Sequence, residues 1–357
     1  MGTYNVGSFI KRLRCIADNS SVNSAMDSRW LTGGFKGTNT VGYGKVSSPN
    51  STRLTDPADF KRLASYGYNL FRVGCGFTES SPASFNYSLS SVVEDYVDFV
   101  IEQARANGVN VVIVFGLDGS EGATSNHWNQ PLATSTCTTI FQYLANKYKN
   151  NTTVVGFDLM NEPVITGGAV DNDWNILANT WARAIRAVDS NRTIIVEPTS
   201  YASRNKLSVL SPLIMENVVY SIHFYTPIDF THQGTGTNPT PPTNGNVYPG
   251  YNDGTNPLWT QATISSTLQV VRNFKAAYNV PIYVGEFSCD IYANADGRYN
   301  LLKDYLDIFA AEKWNWSFFG DGTWFGWDLR YQKVDNLGEL IDVPDNRLVN
   351  LIKNYIR

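Results

Sequence analysis

The sequence predicts a (β/α)8 TIM barrel, an α/β fold in which strands and helices alternate and close into a single domain. Short apolar segments of strand length alternate with longer amphipathic segments from about residue 26 to the end of the chain. The strand segments are apolar throughout, which is typical of a parallel sheet buried on both faces. The chain of 357 residues is long for one domain, but α/β barrels reach this size without dividing.

Two regions are expected along the chain. Residues 1–25 have no clear period and are interpreted as an N-terminal extension covering the barrel floor, and residues 26–357 as the barrel domain. The predicted strands are 33–39, 69–73, 109–115, 154–162, 193–196, 217–223, 281–286 and 314–319. The predicted helices are about 55–66, 91–107, 137–148, 173–188, 261–278, 298–312 and 346–356.

Local signals support the helix boundaries. Asp56 before Pro57 is typical of a helix start, and Gly67 can end the same helix in a left-handed conformation. Ser91 with Glu94 resembles a capping box at the start of the next helix. These signals place the helices between the strands, as the barrel requires.

Two helices also show a buried face. The second follows the helical period with the apolar residues Val93, Tyr96, Val97, Val100, Ile101 and Ala104. Trp174 and Trp181 lie seven residues apart on a later helix, so both are expected in the core rather than as platforms for a ligand.

The segment from about Thr226 to Trp259 interrupts this alternation. It is rich in Thr, Pro, Gly and Asn and is too polar for a core element, so it is predicted to be an extended loop after strand six, on the active face. Its Tyr248, Tyr251 and Trp259 suggest a wall for substrate rather than core.

Two glutamates mark the predicted site. Asn161-Glu162-Pro163 follows an apolar run, and Glu286 ends another. In a barrel of alternating strands and helices, catalytic side chains gather at the carboxyl ends of the strands. Two carboxylates at two such ends are the groups that glycoside hydrolysis requires.

The arrangement of these motifs resembles glycoside hydrolase family five, a family of retaining (β/α)8-barrel enzymes. Asn161-Glu162-Pro163, His223-Phe224-Tyr225 and Glu286 match the family in order and spacing over roughly residues 26–357. The resemblance implies cleavage of a β-linked polysaccharide, foremost as an endo-β-1,4-glucanase (cellulase). A β-mannanase or an exo-acting β-glucanase of the same family is the alternative. An inactive carbohydrate-binding barrel is the alternative from a different class.

The resemblance also implies catalytic roles. Glu286 is expected to be the nucleophile and Glu162 the general acid and then general base of a double displacement. Their carboxyl groups should lie about 5–5.5 Å apart, the retaining geometry. Arg72, which ends strand two, is expected to hold the Glu286 carboxylate ionised and oriented.

Further polar residues are expected around this pair by the same resemblance. Asn161 should form a hydrogen bond with the 2-hydroxyl of the sugar. Tyr225 should donate a hydrogen bond to Glu286, and His223 should orient the two catalytic groups. Glu197 ends strand five. It is either another polar contact to the substrate or a barrel residue whose hydrogen bonds are satisfied within the protein, and the second interpretation is preferred.

Aromatic residues in the loops are candidates for sugar contacts. Trp324 and Trp327 follow a Gly-Asp-Gly turn after strand eight, and either is expected to stack on a pyranose face. Trp128 and His127, in the loop after strand three, are expected to line a further subsite. Plain packing is the alternative for each of them.

The sequence departs from the family pattern in two places. Many members carry Asp-Leu-His-Gly after strand three, whereas this chain has Gly116-Leu117-Asp118-Gly119. Asp118 therefore stands near the position of the histidine, where it either accepts bonds from sugar hydroxyls or caps a turn. Phe319 stands where a polar residue or Trp is common. Both changes bear on substrate identity more than on mechanism.

Composition narrows the partners. Charged residues are only 17% of the chain while aromatic residues are 13%, which suits a protein that handles neutral, polyhydroxylated ligands and equally a large core with Tyr-rich loops. The net charge of −4 gives no indication of nucleic-acid binding, and no segment is apolar enough to span a membrane. No cofactor or metal is expected, because two carboxylates suffice. We expect a monomer, secreted, with any signal peptide removed from this chain.

The four cysteines give no metal site. Cys15, Cys75, Cys137 and Cys289 lack the spacing of metal ligands. They either form disulfides or stay free, and buried free thiols are the preferred reading.

Overall fold

The computed structural model describes most of the chain. The described residues are 26–40, 54–79, 85–117, 130–165, 169–233, 247–250, 258–321, 326–333, 340–343 and 346–356. The predicted N-terminal extension, residues 1–25, lies outside them, as do Asp118, Trp128 and Trp324.

Eight parallel strands form a closed barrel, which confirms the predicted fold class. In chain order they are β1 (Lys36–Asn39), β2 (Leu70–Glu79), β3 (Asn110–Leu117), β4 (Val154–Asp158), β5 (Thr193–Val196), β6 (Val218–His223), β7 (Ile282–Glu286) and β8 (Asn315–Phe318). Each strand pairs with the next, and β1 closes the ring by pairing with both β2 and β8. Tyr87–Ser88 adds a short antiparallel strand to β2, and Tyr331–Lys333 pairs with Leu340–Asp342 outside the barrel.

Helices follow the strands on the outside. The described α-helices are Ser28–Thr32, Pro57–Tyr66, Ser91–Ala106, Pro131–Tyr148, Asp171–Val188, Ile228–Thr231, Gln261–Thr267, Gln269–Tyr278, Ala295–Glu312 and Arg347–Ile356. After β5, Thr199–Ala202 is a single turn with left-handed backbone angles inside it, and Arg204–Ser208 is a 3-10 helix. The predicted helix 261–278 is therefore two helices that meet at Leu268.

The helix boundary signals act as expected, with one shift. The Asp56 side chain accepts a hydrogen bond from the Ala58 amide, and Gly67 ends that helix with a φ of 106°. The next helix is capped by Ser90, whose hydroxyl accepts from the Val93 amide, so the predicted cap at Ser91 was one residue late. A side-chain oxygen at this position satisfies an amide that has no partner within the helix.

The core has two layers, one inside the barrel and one between the strands and helices. Trp30, from the short helix before β1, fills the lower end of the barrel and packs against Phe35 and Tyr283. Trp174 and Trp181 lie in the outer layer and are almost fully buried, which confirms their predicted place in the core. The polar site thus lies above a closed apolar floor.

The segment after β6 is less detached than predicted. Tyr248 is buried, packs on Phe230 and donates a hydrogen bond to Asp304 at 2.6 Å. Trp259 is also buried in the outer core. The prediction that these aromatics form a substrate wall was wrong for the two described residues, because apolar rings in a polar segment still bury against nearby helices. Tyr251 lies outside the described residues.

The cysteines outside the N-terminal region are free. Cys75, Cys137 and Cys289 are buried thiols, in agreement with the preferred reading. Burial raises the pKa of the Cys289 thiol to about 12, so it stays protonated at neutral pH. Within the described residues, no helix combines the length and apolar character needed to cross a membrane.

Candidate active site

The two predicted glutamates meet at the carboxyl end of the barrel. Glu286 is the last residue of β7, as predicted. β4 ends at Asp158, so the predicted strand through Glu162 was too long. Glu162 lies beyond the strand with a φ of 47°, a left-handed conformation that non-glycine residues seldom adopt. Such strained backbone is found most often at functional sites.

The site is compact. Single side-chain atoms of Glu162, His223 and Glu286 all lie within 4.8 Å of one another. Two carboxylates and an imidazole at this spacing resemble a set of metal ligands, but the surrounding charge argues against a cation. The Arg72 guanidinium lies 2.8 Å from Glu286, and the imidazole is itself inclined to carry a positive charge. The arrangement fits carboxylate chemistry better.

Arg72 joins most of the site. Its side chain is fully buried, and it lies near the start of β2 and not at its end as predicted, where it pairs in register with Asn39 of β1. The guanidinium donates to several side-chain oxygens: Asn39 Oδ1 at 2.9 Å, Glu286 Oε1 at 2.8 Å, Glu197 Oε1 at 2.8 Å, Asn161 Oδ1 at 3.0 Å and Asp158 Oδ2 at 3.2 Å. A planar guanidinium can serve so many acceptors because its donors are spread around a rigid fork.

His223 links three carboxylates. Its Nδ1 lies 2.7 Å from Glu162 Oε1 and 3.5 Å from Glu286 Oε2, and its Nε2 lies 3.0 Å from Glu197 Oε1. Burial opposes a charge on this ring, but Glu197 and Glu286 outweigh it and raise the pKa of His223 well above its usual range. Gly285 makes room for the ring and for Ser221, because a Cβ there would lie 3.1 Å from His223 Nε2 and 2.6 Å from Ser221 Oγ.

Glu197 belongs to the site, so the preferred prediction from the sequence, a barrel residue with no part in the site, was wrong. Its carboxylate is fully buried and accepts from the Glu162 amide at 2.6 Å as well as from Arg72. Burial opposes its ionisation, but His223 and Arg72 together hold the pKa of Glu197 down at about 2. Its position directly after β5 was the available signal, since it obeys the same strand-end rule as Glu286.

Two more polar residues were missed. Asp158 at the end of β4 is fully buried beneath Arg72, and burial followed by the charge of Glu197 raises the pKa of Asp158 well above its usual range. Asn39 at the end of β1 donates to the backbone oxygens of Gly285 and Phe318, and so ties β7 and β8 to β1. Asp158 lies within an apolar run, and Asn39 lies among the polar residues Lys36, Thr38 and Thr40, so neither stands out in the sequence.

Glu286 has a second support. Tyr225 donates its hydroxyl to Glu286 Oε2 at 3.0 Å, as predicted. Burial raises the pKa of Glu286, while His223 and Arg72 work in the opposite direction without cancelling the shift. Burial, with the charge of Glu286, raises the pKa of Tyr225 well above its usual range, so the phenol stays a donor.

Trp327 lies behind Tyr225 and is only 3% exposed. Its ring meets Tyr225 edge-on at 5.4 Å, His232 at 4.8 Å and Phe319 at 6.0 Å. With so little surface, Trp327 braces Tyr225 instead of offering a broad face to a sugar, which corrects the predicted stacking. His232, also in this group, was not singled out from the sequence.

Four predicted residues have no described position. Asp118, His127, Trp128 and Trp324 lie outside the described residues, and their sugar contacts stay predictions. The other predicted site residues, Arg72, Asn161, Glu162, His223, Tyr225, Glu286 and Trp327, come together around one end of the barrel.

Several known proteins are similar to this chain in sequence. Endoglucanase C of Acetivibrio thermocellus is 24% identical over 263 residues, which cover 67% of this chain and 73% of that protein. A probable glucan 1,3-beta-glucosidase A of Aspergillus niger is 32% identical over 132 residues, covering 35% of this chain and 31% of that protein.

Solved structures share the fold. The endoglucanase Cel5A of Thermotoga maritima superimposes with a TM-score of 0.69 at 19% identity, covering 92% of this chain and 99% of that one. The same enzyme in complex with mannotriose gives a TM-score of 0.66.

The sequence profile described as Cellulase (glycosyl hydrolase family 5) matches residues 26–330. That span contains all seven residues gathered at the barrel end, the two glutamates among them. The chain therefore belongs to the cellulase family, glycosyl hydrolase family 5, and is a glycoside hydrolase.

Proposed function

We propose that this protein is a retaining endo-β-1,4-glucanase that cleaves cellulose-type chains by double displacement. The observation that carries the proposal is the pair of carboxylates, Glu162 and Glu286, with oxygens within 4.8 Å of each other. That separation is close to the retaining geometry and leaves no room for the water that an inverting enzyme holds between its carboxylates.

The first step uses the two glutamates together. Glu286, oriented by Arg72 and Tyr225, attacks the anomeric carbon and forms a glycosyl ester. Glu162 gives its proton to the glycosidic oxygen as the bond to the leaving sugar breaks. Asn161 accepts from Arg72 through Oδ1, so its carboxamide can donate through Nδ2 towards the 2-hydroxyl of the sugar.

The second step reverses the role of Glu162. As a carboxylate, Glu162 takes a proton from water, whose oxygen attacks the anomeric carbon and releases Glu286. The sugar therefore keeps its original anomeric configuration. Proton NMR of freshly formed product tests this, and an inverted first product from the wild-type enzyme would refute the retaining mechanism.

Variants test the two roles separately. Glu162→Ala and Glu286→Ala should each nearly abolish hydrolysis without unfolding the protein. Azide should partly rescue Glu286→Ala and give a glycosyl azide of inverted configuration, because a small anion replaces the missing nucleophile. Turnover close to that of the wild type in either variant would contradict the assignment.

The substrate is proposed from the relatives. The cellulase description of the family and the endoglucanase name of the Acetivibrio thermocellus relative together favour internal cleavage of β-1,4-glucan. The mannotriose complex of the Thermotoga maritima enzyme favours mannan as second candidate, and the Aspergillus niger relative an exo-acting β-glucanase as third. Hydrolysis of cellulose, mannan, laminarin, mixed-linkage glucan and xyloglucan, with the products sized, separates these. No product from any of them would favour a carbohydrate-binding barrel.

The setting of the reaction is also a proposal. Polysaccharide hydrolases are usually exported, so we place the enzyme among secreted proteins that act as monomers, without a membrane or nucleic-acid partner. Secretion of the full-length gene product into the medium, and one monomeric species in light scattering, are the expected results.

A further inference from the structure

The buried carboxylate of Glu197 is the common acceptor of three groups around the acid. Its Oε2 accepts from the Glu162 amide at 2.6 Å, and its Oε1 accepts from Arg72 Nη2 at 2.8 Å and faces His223 Nε2 at 3.0 Å. Glu197 is fully buried, so water does not compete for these bonds.

This contact decides which nitrogen of His223 carries a hydrogen. An ionised carboxylate can only accept, so Nε2 must be the donor towards Glu197. The other nitrogen, Nδ1, then faces Glu162 Oε1 at 2.7 Å, a distance at which one proton lies between the two atoms. That proton lies either on Nδ1, with Glu162 ionised, or on Glu162, with His223 neutral.

We propose that Glu197 is a positioning residue, which holds His223 in its Nε2–H form so that His223 and Glu162 share the proton delivered to the leaving sugar. The inference rests on the proposed function, because it takes Glu162 as the acid. Glu197 itself touches no reacting atom.

The proton that the pair gives away in the first step is replaced from water in the second. It leaves from Glu162 Oε1 to the glycosidic oxygen as the bond from C1 to that oxygen breaks and the bond from C1 to Glu286 forms. Water then gives a proton back to Glu162 as its oxygen bonds to C1 and the ester to Glu286 breaks. Each cycle ends with the pair in its original state.

Several charged or titratable groups face this pair. Arg72 and Glu286 approach from β2 and β7, and Asp158 lies beneath from β4. Tyr225 and His232 face it from the segment after β6, and Tyr283 lies below on β7. Glu197 differs from these groups because its carboxylate bonds to Nε2 of His223. Its pKa of about 2 keeps it charged throughout the working pH range.

Glu197→Gln provides the direct test, because an amide cannot replace this acceptor. If its nitrogen takes the Oε1 position, it opposes the Arg72 donor; if it takes the Oε2 position, it opposes the Glu162 amide. We expect kcat to fall roughly 10²–10⁴-fold, the size of a general acid–base contribution. The alkaline limb of kcat/KM should move to lower pH, because the lost negative charge no longer favours the protonated pair.

Two further variants separate the effect of the Glu197 charge from a general loss of stability. Glu197→Asp keeps the charge, so it should leave the alkaline limb near that of the wild type, even where the shorter side chain lowers kcat. Asp189→Asn is the matched control: Asp189 is another buried carboxylate that accepts backbone amides, but it lies before the other end of β5. It should lower stability and leave the limb in place.

Nitrogen NMR of the histidine rings gives a readout that needs no substrate. The chain has three histidines, so His127→Gln and His232→Gln assign the His223 signals by elimination. In the wild type, Nε2 of His223 should carry hydrogen from pH 5 to 8, and Glu197→Gln should change the ring signals. This spectrum alone decides the matter if Glu197→Gln does not fold.

Clear outcomes would overturn the inference. A wild-type spectrum in which Nδ1 of His223 carries the only ring hydrogen would overturn it. So would an alkaline limb of kcat/KM that stays at the wild-type position in Glu197→Gln, as it does in the control Asp189→Asn. Failure of the proposed function looks different: Glu162→Gln would then hydrolyse β-glucan at the wild-type rate, whatever the His223 spectrum shows.

Discussion

Replacing Arg72 by methionine removes a buried cation from a group of carboxylates, and this should cost both stability and activity. The guanidinium is within 2.8 Å of Glu197 and Glu286 and 3.2 Å of Asp158. Methionine fills similar space with apolar atoms, so the change chiefly removes charge and hydrogen bonds. The effect therefore measures how far these carboxylates depend on Arg72.

The magnitude follows from the charges. Burial raises the pKa of Asp158 well above its usual range, so Arg72 is paired chiefly with the carboxylates of Glu197 and Glu286. Removing one partner of a buried ion pair typically costs about 3–5 kcal/mol. At pH 8 we expect the free energy of unfolding of Arg72→Met to fall by about that amount.

The loss should depend on pH. The pKa of Glu286 is already raised in the folded protein, and loss of the nearby cation raises it further. A carboxyl group with a raised pKa binds its proton more tightly when folded, so stability is retained below the unfolded pKa and lost as the pH rises through the folded one. The loss should therefore be smaller at pH 4.5 than at pH 8.

Urea unfolding at the two pH values measures this effect. Arg192→Met is the control, since Arg192 pairs with Asp189 at the opposite end of the barrel, at 3.0 Å. It should lower stability to a similar extent at both pH values and preserve activity. An Arg72→Met protein as stable as the wild type at pH 8, or equally destabilised at both values, would refute the charge argument.

Three further variants probe the site. Tyr225→Phe removes a donor to Glu286, and since a hydrogen bond to a charged group contributes about 1.5–3 kcal/mol, kcat/KM should fall roughly 10–100-fold; a change below twofold would exclude this bond from catalysis. Gly285→Ala adds a Cβ that would lie 2.6 Å from Ser221 Oγ and 3.1 Å from His223 Nε2, so activity should fall while circular dichroism shows a folded barrel, and full activity would mean that both side chains can shift without effect. The resemblance places Asp118 near the histidine position of the family, and if its charge lies near the acid there, Asp118→Asn should move the alkaline limb of kcat/KM to lower pH; a limb that stays in place puts Asp118 outside the catalytic field.

The sequence alone determined the architecture and the two central residues. Alternating apolar strands and amphipathic helices specify a barrel because each strand must be covered on both faces and each helix on one. The strand-end rule then singles out Glu286, and the Asn161-Glu162-Pro163 motif singles out its partner. These are local patterns, readable without knowing which strands face each other.

Local patterns were less accurate where chain direction changes. β4 was predicted to run through Glu162, but the chain leaves the strand at Asp158 and turns so that the Glu162 amide points to Glu197. A left-handed residue leaves no mark in apolar periodicity, and it is stabilised here by a contact from another strand.

Only the tertiary structure decided how charge is distributed in the site. Glu197 lies 125 residues from Arg72 in the chain and 2.8 Å away in space. From the sequence, Glu197 was interpreted as a barrel carboxylate with its hydrogen bonds satisfied, because it is an isolated residue after a strand. Asp158 was not singled out, because it lies within an apolar run. Closure of the barrel brings these groups against Arg72 and His223 in a volume without water. There the protonation of each group depends on its neighbours, so it cannot be assigned before the strand ends are known to meet.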